Sequence, residues 1–407
     1  MPLDTAAIRR QFPIFREEHP PIYLDSAAMG QKPANVIDAM DTYYRLAASN
    51  VHRGMYALAD EATNRYEASR ETVRAFIAAK HRDEIVFTKG ATESINLVAK
   101  TWGKANLKKG DGVVLSILEH HSNIVPWLQL KEEIGISLRW IDMEEDGSLR
   151  MADIDAALKD GKAKLVSVTG LSNVLGTLPP LSDIIERAHR AHALTLIDAS
   201  QLIAHRPIDV TELNCDFLAF SGHKLFGPTG IGVLYARSPL LSKIPPFLGG
   251  GGMVQRVTRE EFLPADPPAK FEAGTPPIAE AIGLKAAIEW FTQYPWKDIE
   301  AHEHALLAHA IEKLKAIPSL RILGPASADE VAGCVSFTIE GVHPHDLTDI
   351  LGRQGICLRA GHHCAQPLHE RLDIGASTRL SVSLYNTPEE IDRCAEEIRR
   401  AIAKLKK

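Results

Sequence analysis

The sequence predicts an α/β fold: a mostly parallel seven-stranded sheet with helices on both faces, joined to a smaller α+β domain. Three observations predict it. Between about residues 60 and 240, short apolar segments alternate with helical ones. Polar and small residues gather just after the apolar segments. Beyond about residue 290 the regular alternation gives way to a mixed strand and helix pattern.

Seven apolar segments read as strands: "EIVFT", "GVVLSI", "SLRWIDM", "KLVSVTG", "LTLIDA", "FLAFSG" and "GIGVLYA". Helical stretches such as "TESINLVAKTWGKA" and "LSDIIERAHRAHA" separate several of them, as parallel strands with crossover helices require. The last two strands are joined by "HKLFGPTG", too short for a helical crossover, so one antiparallel strand is expected. Residues 245–282 hold four consecutive glycines and several prolines outside any periodic pattern. A long irregular segment in a compact protein is usually functional. A helical stretch follows around 285–316, then strand, helix, strand, loop, strand and helix. The expected division is a large domain over 20–290 and a small domain formed by 1–19 with 291–407. The last helix starts at Thr387 as N-cap, with Pro388 in the first turn and Glu390 completing a capping box.

Composition narrows the function. The net charge of −6, from 46 basic and 52 acidic residues, comes without any basic block, so nucleic acid is not an expected partner. No apolar run approaches the ~18 residues of a membrane span, and the N-terminus has no apolar signal region. A cytoplasmic location is expected. Five cysteines without a CxxC pair argue against both a disulfide framework and a metal centre. His362, His363 and Cys364 are adjacent, and such close neighbours seldom converge on one metal. Cys215, Cys334, Cys357 and Cys394 sit in apolar, periodic contexts and read as core thiols. Cys364 alone stands in polar, non-periodic sequence, "RAGHHCAQP", and so lies on a loop.

In a doubly wound sheet, ligands bind beyond the carboxyl ends of the strands. The residues there form a chemically coherent set. "TKGATESIN" opens a helix with Thr92 in its first turn, where free amides and the dipole suit a phosphate. "LEHHSN" brings His120 and His121, and "SNVLGT" brings Asn173. Asp198 ends an apolar strand in "LIDASQ", a costly place for a carboxylate without a cation, and Gln201 follows it. Lys224, in "SGHKLFGPTG" after Ser221 and His223, lies among small residues where an amine loses its proton more readily. Pyridoxal 5′-phosphate accounts for the whole set, since it needs a lysine, a carboxylate for its ring nitrogen and a phosphate cup. A nicotinamide cofactor fits less well, because no GxGxxG follows an early strand.

The segments "YLDSAA", "VHRG", "KGATESINLV", "EHHSNIVPW", "SGHKLFGPTGIGVLY", "FEAGTP", "RAGHHCAQPL" and "LYNTPEEID" carry a resemblance. With them the chain resembles the group II, SUF-type cysteine desulfurases and selenocysteine lyases, in the class V aminotransferase branch of fold-type I PLP enzymes. The resemblance implies Lys224 as the cofactor-bound lysine, Asp198 as partner of the ring nitrogen, and His120 stacked on the ring with a catalytic role. It implies Asn173 and Gln201 near the phenolic oxygen, and Thr92, Ser221 and His223 on the phosphate. Thr275 would join them from the neighbouring subunit of a homodimer, with 245–282 as the interface segment. Arg379, with Arg359 and Asn173, would hold the substrate carboxylate, and Cys364 would accept sulfur as the nucleophile. The implied reaction converts L-cysteine to L-alanine with a persulfide on Cys364, which a SufE-like or SufU-like acceptor collects for iron–sulfur cluster assembly. L-Selenocysteine, or another class V aminotransferase or lyase reaction, is the alternative.

Three positions depart from the pattern. "DGAQ" reads "DASQ", adding a hydroxyl at Ser200; Ala91 replaces a threonine in the phosphate turn; and Leu380 replaces an alanine beside Arg379, where it is expected to crowd the carboxylate clamp. A free thiol is only about 3% thiolate at pH 7. Arg359, or a protonated His362 or His363, would raise that fraction; alternatively the histidines only anchor the loop.

Overall fold

The structure, a computed structural model, describes residues 3–406. A two-residue strand, β1 (Ile22–Tyr23), comes first and pairs in parallel with β13 (Ile356–Cys357). The central sheet follows: β2 (Ile85–Thr88), β3 (Gly112–Ser116), β4 (Ser137–Ile141), β5 (Ala163–Thr169), β6 (Leu194–Asp198), β7 (Phe217–Ser221) and β8 (Gly232–Ala236). Their order is β2-β8-β7-β6-β5-β3-β4, and only β8 runs against its neighbours. All seven expected strands are present, including the reversal that the short "HKLFGPTG" connection demands. Every residue of β2, β3, β7 and β8 is buried, as expected of a sheet covered on both faces.

The chain order of the strands reverses between β3 and β5. That is the switch point at which the loops of a doubly wound sheet diverge and leave a crevice. Register aligns the strand ends around it: Thr169 pairs with Asp198, and Asp198 with Ala219.

The segment 245–282 is less irregular than expected. It holds an antiparallel hairpin, β9 (Val254–Val257) with β10 (Phe262–Pro264), and the first turn of a helix, Ile278–Phe291. The hairpin strands are largely exposed, so they lack the buried face whose alternation marks a strand in sequence. The helical stretch expected at 285–316 is two helices, Ile278–Phe291 and Trp296–Lys315. Pro295, which disfavours a helical conformation in the residue before it, separates them.

The C-terminal third forms a second sheet, β11 (Leu320–Leu323), β12 (Cys334–Ile339), β14 (Arg359–Gly361) and β15 (Ser377–Ser381), in the order β11-β12-β15-β14 and antiparallel throughout. Leu306, Phe337, Leu380 and Ile398 pack in a core of their own under it. The final helix, Pro388–Leu405, has the expected reciprocal box between Thr387 and Glu390, and Ile391, Cys394 and Ile398 are buried. Its position therefore follows from local sequence alone. The cap of Pro344–Gly352 is His343, whose ring accepts the His345 N–H; Asp346 lies in the first turn.

Candidate active site

Beyond the ends of β5, β6 and β7 lies a cavity of about 150 Å³. Its wall includes Thr92, His120, Asn173, Asp198, Gln201, Ser221, His223, Lys224, Arg359, Cys364 and Arg379. Eleven expected site residues from both sheets thus share one space. Thr275 does not reach it; within the chain it lines a separate cleft of about 690 Å³ with His52, Arg53 and Gly252.

Lys224 ends the single helical turn Gly222–Lys224 after β7. Burial pulls its amine down to about 8, against the attraction of Asp198 and with help from the Arg379 and Arg359 charges. Asp198, 3% exposed, ends β6. Its Oδ1 accepts both the backbone N–H (3.0 Å) and the hydroxyl (2.5 Å) of Ser200, the extra hydroxyl of "DASQ". Oδ2 takes no hydrogen bond from the described residues and is left for the cavity.

His120 caps a short turn after β3, and its Nδ1 accepts the Ser122 N–H at 3.1 Å. A backbone amide can only donate, so the ring proton is on Nε2. Burial, followed by the Lys224 charge, pushes the ring down to about 3, so His120 is a neutral donor. On the other side, the helix Ala91–Val98 starts at Gly90 with no side-chain cap from that residue. The Ser221 hydroxyl accepts the Ala91 N–H at 2.9 Å, which brings the positive end of the helix to the cavity wall. Gly232 permits this approach: a Cβ there would stand 2.3 Å from the Gly90 Cα. His223 is driven down to about 4 by burial and by Lys224 and Lys32. Its ring is therefore also neutral at the cavity wall.

Arg379 enters from β15, 1% exposed. It donates to the Asn173 carbonyl at 2.8 Å and to Asp25 at 2.9 Å, while its Nε is buried without a partner. Leu380 does not crowd it. Successive strand residues point to opposite faces, and Leu380 faces the second core.

The Cys364 loop is pinned between the sheets. The Cys364 carbonyl accepts the His121 N–H (2.7 Å), the His363 carbonyl accepts the Asn173 amide (2.7 Å), and the His121 ring accepts the Gln366 N–H (3.0 Å). These bonds hold two successive residues, His363 and Cys364, at φ of 51° and 58°, a left-handed conformation rarely adopted by side-chain-bearing residues. The amide nitrogens of Asn173 and Gln201 each donate one N–H to a protein carbonyl, that of Gln201 to Ala27 at 2.8 Å, and each keeps a second N–H. His363 cannot supply positive charge to the thiol: burial and the Arg379 charge push it down to about 2, and its Nε2 pairs with Ser377 (3.1 Å). It anchors the loop.

Sequence reasoning missed Asp25 and Glu119. Asp25 closes the apolar run of "IYLD", the same signal that singled out Asp198, and it meets Arg379 from 354 positions away. Glu119 is fully buried beside His120 and accepts from Ser116, Asn123 and Thr169. It ties the ends of β3 and β5 to the His120 turn.

The residues present fit pyridoxal phosphate. They offer a desolvated lysine, a carboxylate oxygen free of protein donors, and a helix start with neutral donors for an anion. Among the described residues, no group of three His, Cys, Asp or Glu could hold a metal ion.

Comparison with known proteins agrees with this chemistry. The family described as Aminotransferase class-V matches residues 22–394. A probable cysteine desulfurase of Streptomyces coelicolor is 48% identical over 398 residues, 96% of this chain and 95% of that one. A probable cysteine desulfurase of Halalkalibacterium halodurans is 46% identical over 98% of each chain. Among solved structures, the apo cysteine desulfurase of Thermococcus onnurineus superposes with a TM-score of 0.94 at 38% identity, covering 99% of each chain. The S-sulfonic acid form of the Escherichia coli cysteine desulfurase CsdA does so at 0.90, with the same identity and coverage.

Proposed function

The chain belongs to the class-V aminotransferase family, among its cysteine desulfurases, and from that premise we propose that it converts L-cysteine to L-alanine and takes the sulfur onto Cys364. It is a PLP-dependent enzyme. The observation that carries the site assignment is the meeting of Lys224, Asp198 and Cys364 in one small cavity, drawn from two different sheets.

Pyridoxal phosphate, when bound, supplies an electron sink that weakens first the Cα–H and then the Cβ–S bond of cysteine. Lys224 holds the cofactor and, once released, moves the proton from Cα; its amine near 8 titrates close to neutrality, as a proton carrier should. Asp198 keeps the ring nitrogen protonated through Oδ2. Thr92, Ser221 and His223 would hold the phosphate, and Asn173 and Gln201 would meet the phenolic side through the second N–H of each amide. Arg379 and Arg359 hold the substrate carboxylate. His120, a neutral imidazole, would lie against the cofactor ring. Cys364 attacks the substrate sulfur: a sulfur–sulfur bond forms, the Cβ–S bond breaks, and Cβ takes a proton to become the methyl of alanine.

The same reading extends to assembly. Tyr44, Leu46, Met55 and Tyr56 expose large apolar side chains close in sequence to His52 and Arg53, which share the outer cleft with Thr275. We assign that surface to a homodimer, with Thr275 completing the partner's phosphate site. We assign a large domain, 20–290, and a small one, 1–19 with 291–407; the separate core of Leu306, Phe337 and Ile398 supports the C-terminal part of that division, whereas Ile8 and Phe12 pack in the core of the large domain. The pinned loop keeps Cys364 at the cavity, so its sulfur leaves through a protein that comes to it. This favours a SUF-type enzyme whose SufE-like or SufU-like acceptor feeds iron–sulfur cluster assembly in the cytoplasm. No helix among the described residues is long and apolar enough to cross a membrane.

The test uses two variants and two substrates. Lys224→Ala should lose both the visible absorbance of the bound cofactor and turnover. Cys364→Ala should keep the absorbance and release almost no sulfur from cysteine, while retaining some activity on selenocysteine. Wild-type desulfuration of cysteine by Cys364→Ala would exclude it as the nucleophile.

A further inference from the structure

The stretch Met29 to Lys32 lies against the back of the turn that carries Lys224. Two of its donors meet one oxygen: the His223 carbonyl accepts the Gly30 N–H at 3.0 Å and the Lys32 ammonium at 3.2 Å. The same ammonium holds the Gly30 carbonyl. Gly30 has to be small for this contact, because a Cβ there would stand 3.2 Å from the Lys224 carbonyl oxygen and 3.4 Å from the Phe226 nitrogen. Within the turn, the Gly222 carbonyl is already engaged by the N–H groups of Leu225 and Gly227, each at 3.0 Å.

Lys32 has no carboxylate within ion-pair distance among the described residues. Burial pulls its ammonium down to about 8, so holding it here is costly. What it gains are two carbonyls, one of them in the peptide that leads into Lys224. A peptide unit is planar, so fixing the His223 oxygen also fixes the Lys224 N–H and the Lys224 Cα from which the side chain departs.

Resting on the assignment of Lys224 made above, we propose that Lys32 is a positioning residue for Lys224: its ammonium clamps the His223–Lys224 peptide so that the Lys224 amine occupies one place in the cavity. Loss of the clamp lets the amine sample several positions, which lowers the rates of steps it performs more than the affinity for substrate.

Lys32→Met keeps the apolar stem and removes the donors. Added to cofactor-free protein, pyridoxal phosphate should develop its visible absorbance between about tenfold and about a hundredfold more slowly than in wild type. The kcat for cysteine should fall by a similar factor, with KM changed by less than about twofold. Amide exchange of a peptide from Gly222 to Pro228 should quicken, and that of β5 and β6 should not. Gly30→Ala keeps the charge but presses on the Lys224 carbonyl, and should slow the same two rates. A Lys32→Met protein with wild-type rates overturns the proposal; if that variant proves insoluble, wild-type rates in Gly30→Ala overturn it. Lys224→Ala is measured alongside. Visible absorbance retained there overturns the assignment of Lys224, whereas its loss there with wild-type Lys32→Met overturns the role of Lys32 alone.

Discussion

Arg379→Lys tests the carboxylate clamp. Arg379 is 1% exposed, and two of its nitrogens are committed at 2.8 and 2.9 Å, to the Asn173 carbonyl and to Asp25. Its Nε has no partner, and a buried donor left unmade costs about 1–3 kcal/mol. A substrate carboxylate that accepts from the guanidinium recovers that cost. Lysine keeps the charge but offers one compact ammonium in place of a planar fork, and it cannot serve Asn173, Asp25 and a carboxylate in the same geometry. Losing one charged hydrogen bond, about 1.5–3 kcal/mol, should raise KM for cysteine between about tenfold and about 150-fold. The carboxylate is held equally in the ground and transition states, so kcat should change much less. Alanine formation measured against cysteine concentration reads both constants, and visible absorbance verifies that the variant carries cofactor. A loaded variant with wild-type KM would refute the assignment.

Burial raises the Glu119 carboxyl to about 8 from an ordinary 4.5. A folded value above the unfolded one contributes stability that is complete below about 4.5 and lost as pH rises through about 8. Denaturant unfolding of wild type and Glu119→Gln from pH 4.5 to pH 8 should therefore show the wild type losing stability relative to the variant as pH rises. Thr275→Ala should weaken cofactor binding by up to about 3 kcal/mol, read as a dissociation constant. Light scattering that shows a monomer with full cofactor occupancy would contradict the shared site. His345 is exposed, stacked on His343, with its Nε2 3.9 Å from where a Gly361 Cβ would lie, on the strand that leads to Cys364. His345→Ala should keep basal activity and lose stimulation by a SufE-like or SufU-like acceptor. Equal stimulation of both proteins would leave His345 a structural role.

Much of this molecule is legible in its sequence, because the signals are local. Each central strand is a short apolar run bounded by turn residues, and the reversal of β8 follows from a connection too short to cross over. The last helix declares its start through Thr387, Pro388 and Glu390. Asp198, Lys224 and Cys364 each stand out against their immediate neighbours: a carboxylate closing an apolar strand, a lysine in a turn of small residues, a cysteine outside any period. The irregular segment was harder to read, since the exposed hairpin of β9 and β10 has no buried face to mark it. Tertiary structure alone decided the rest. Strand alternation put Leu380 in the second core, but which face of β15 meets the cavity depends on what packs against it. The Asn173 amide finds the His363 carbonyl across 190 positions, and Asp25 finds Arg379 across 354. Nothing local to either residue encodes such a partner. The charge of His363 was open in sequence for the same reason: desolvation keeps that ring neutral, and desolvation is a property of the fold around it.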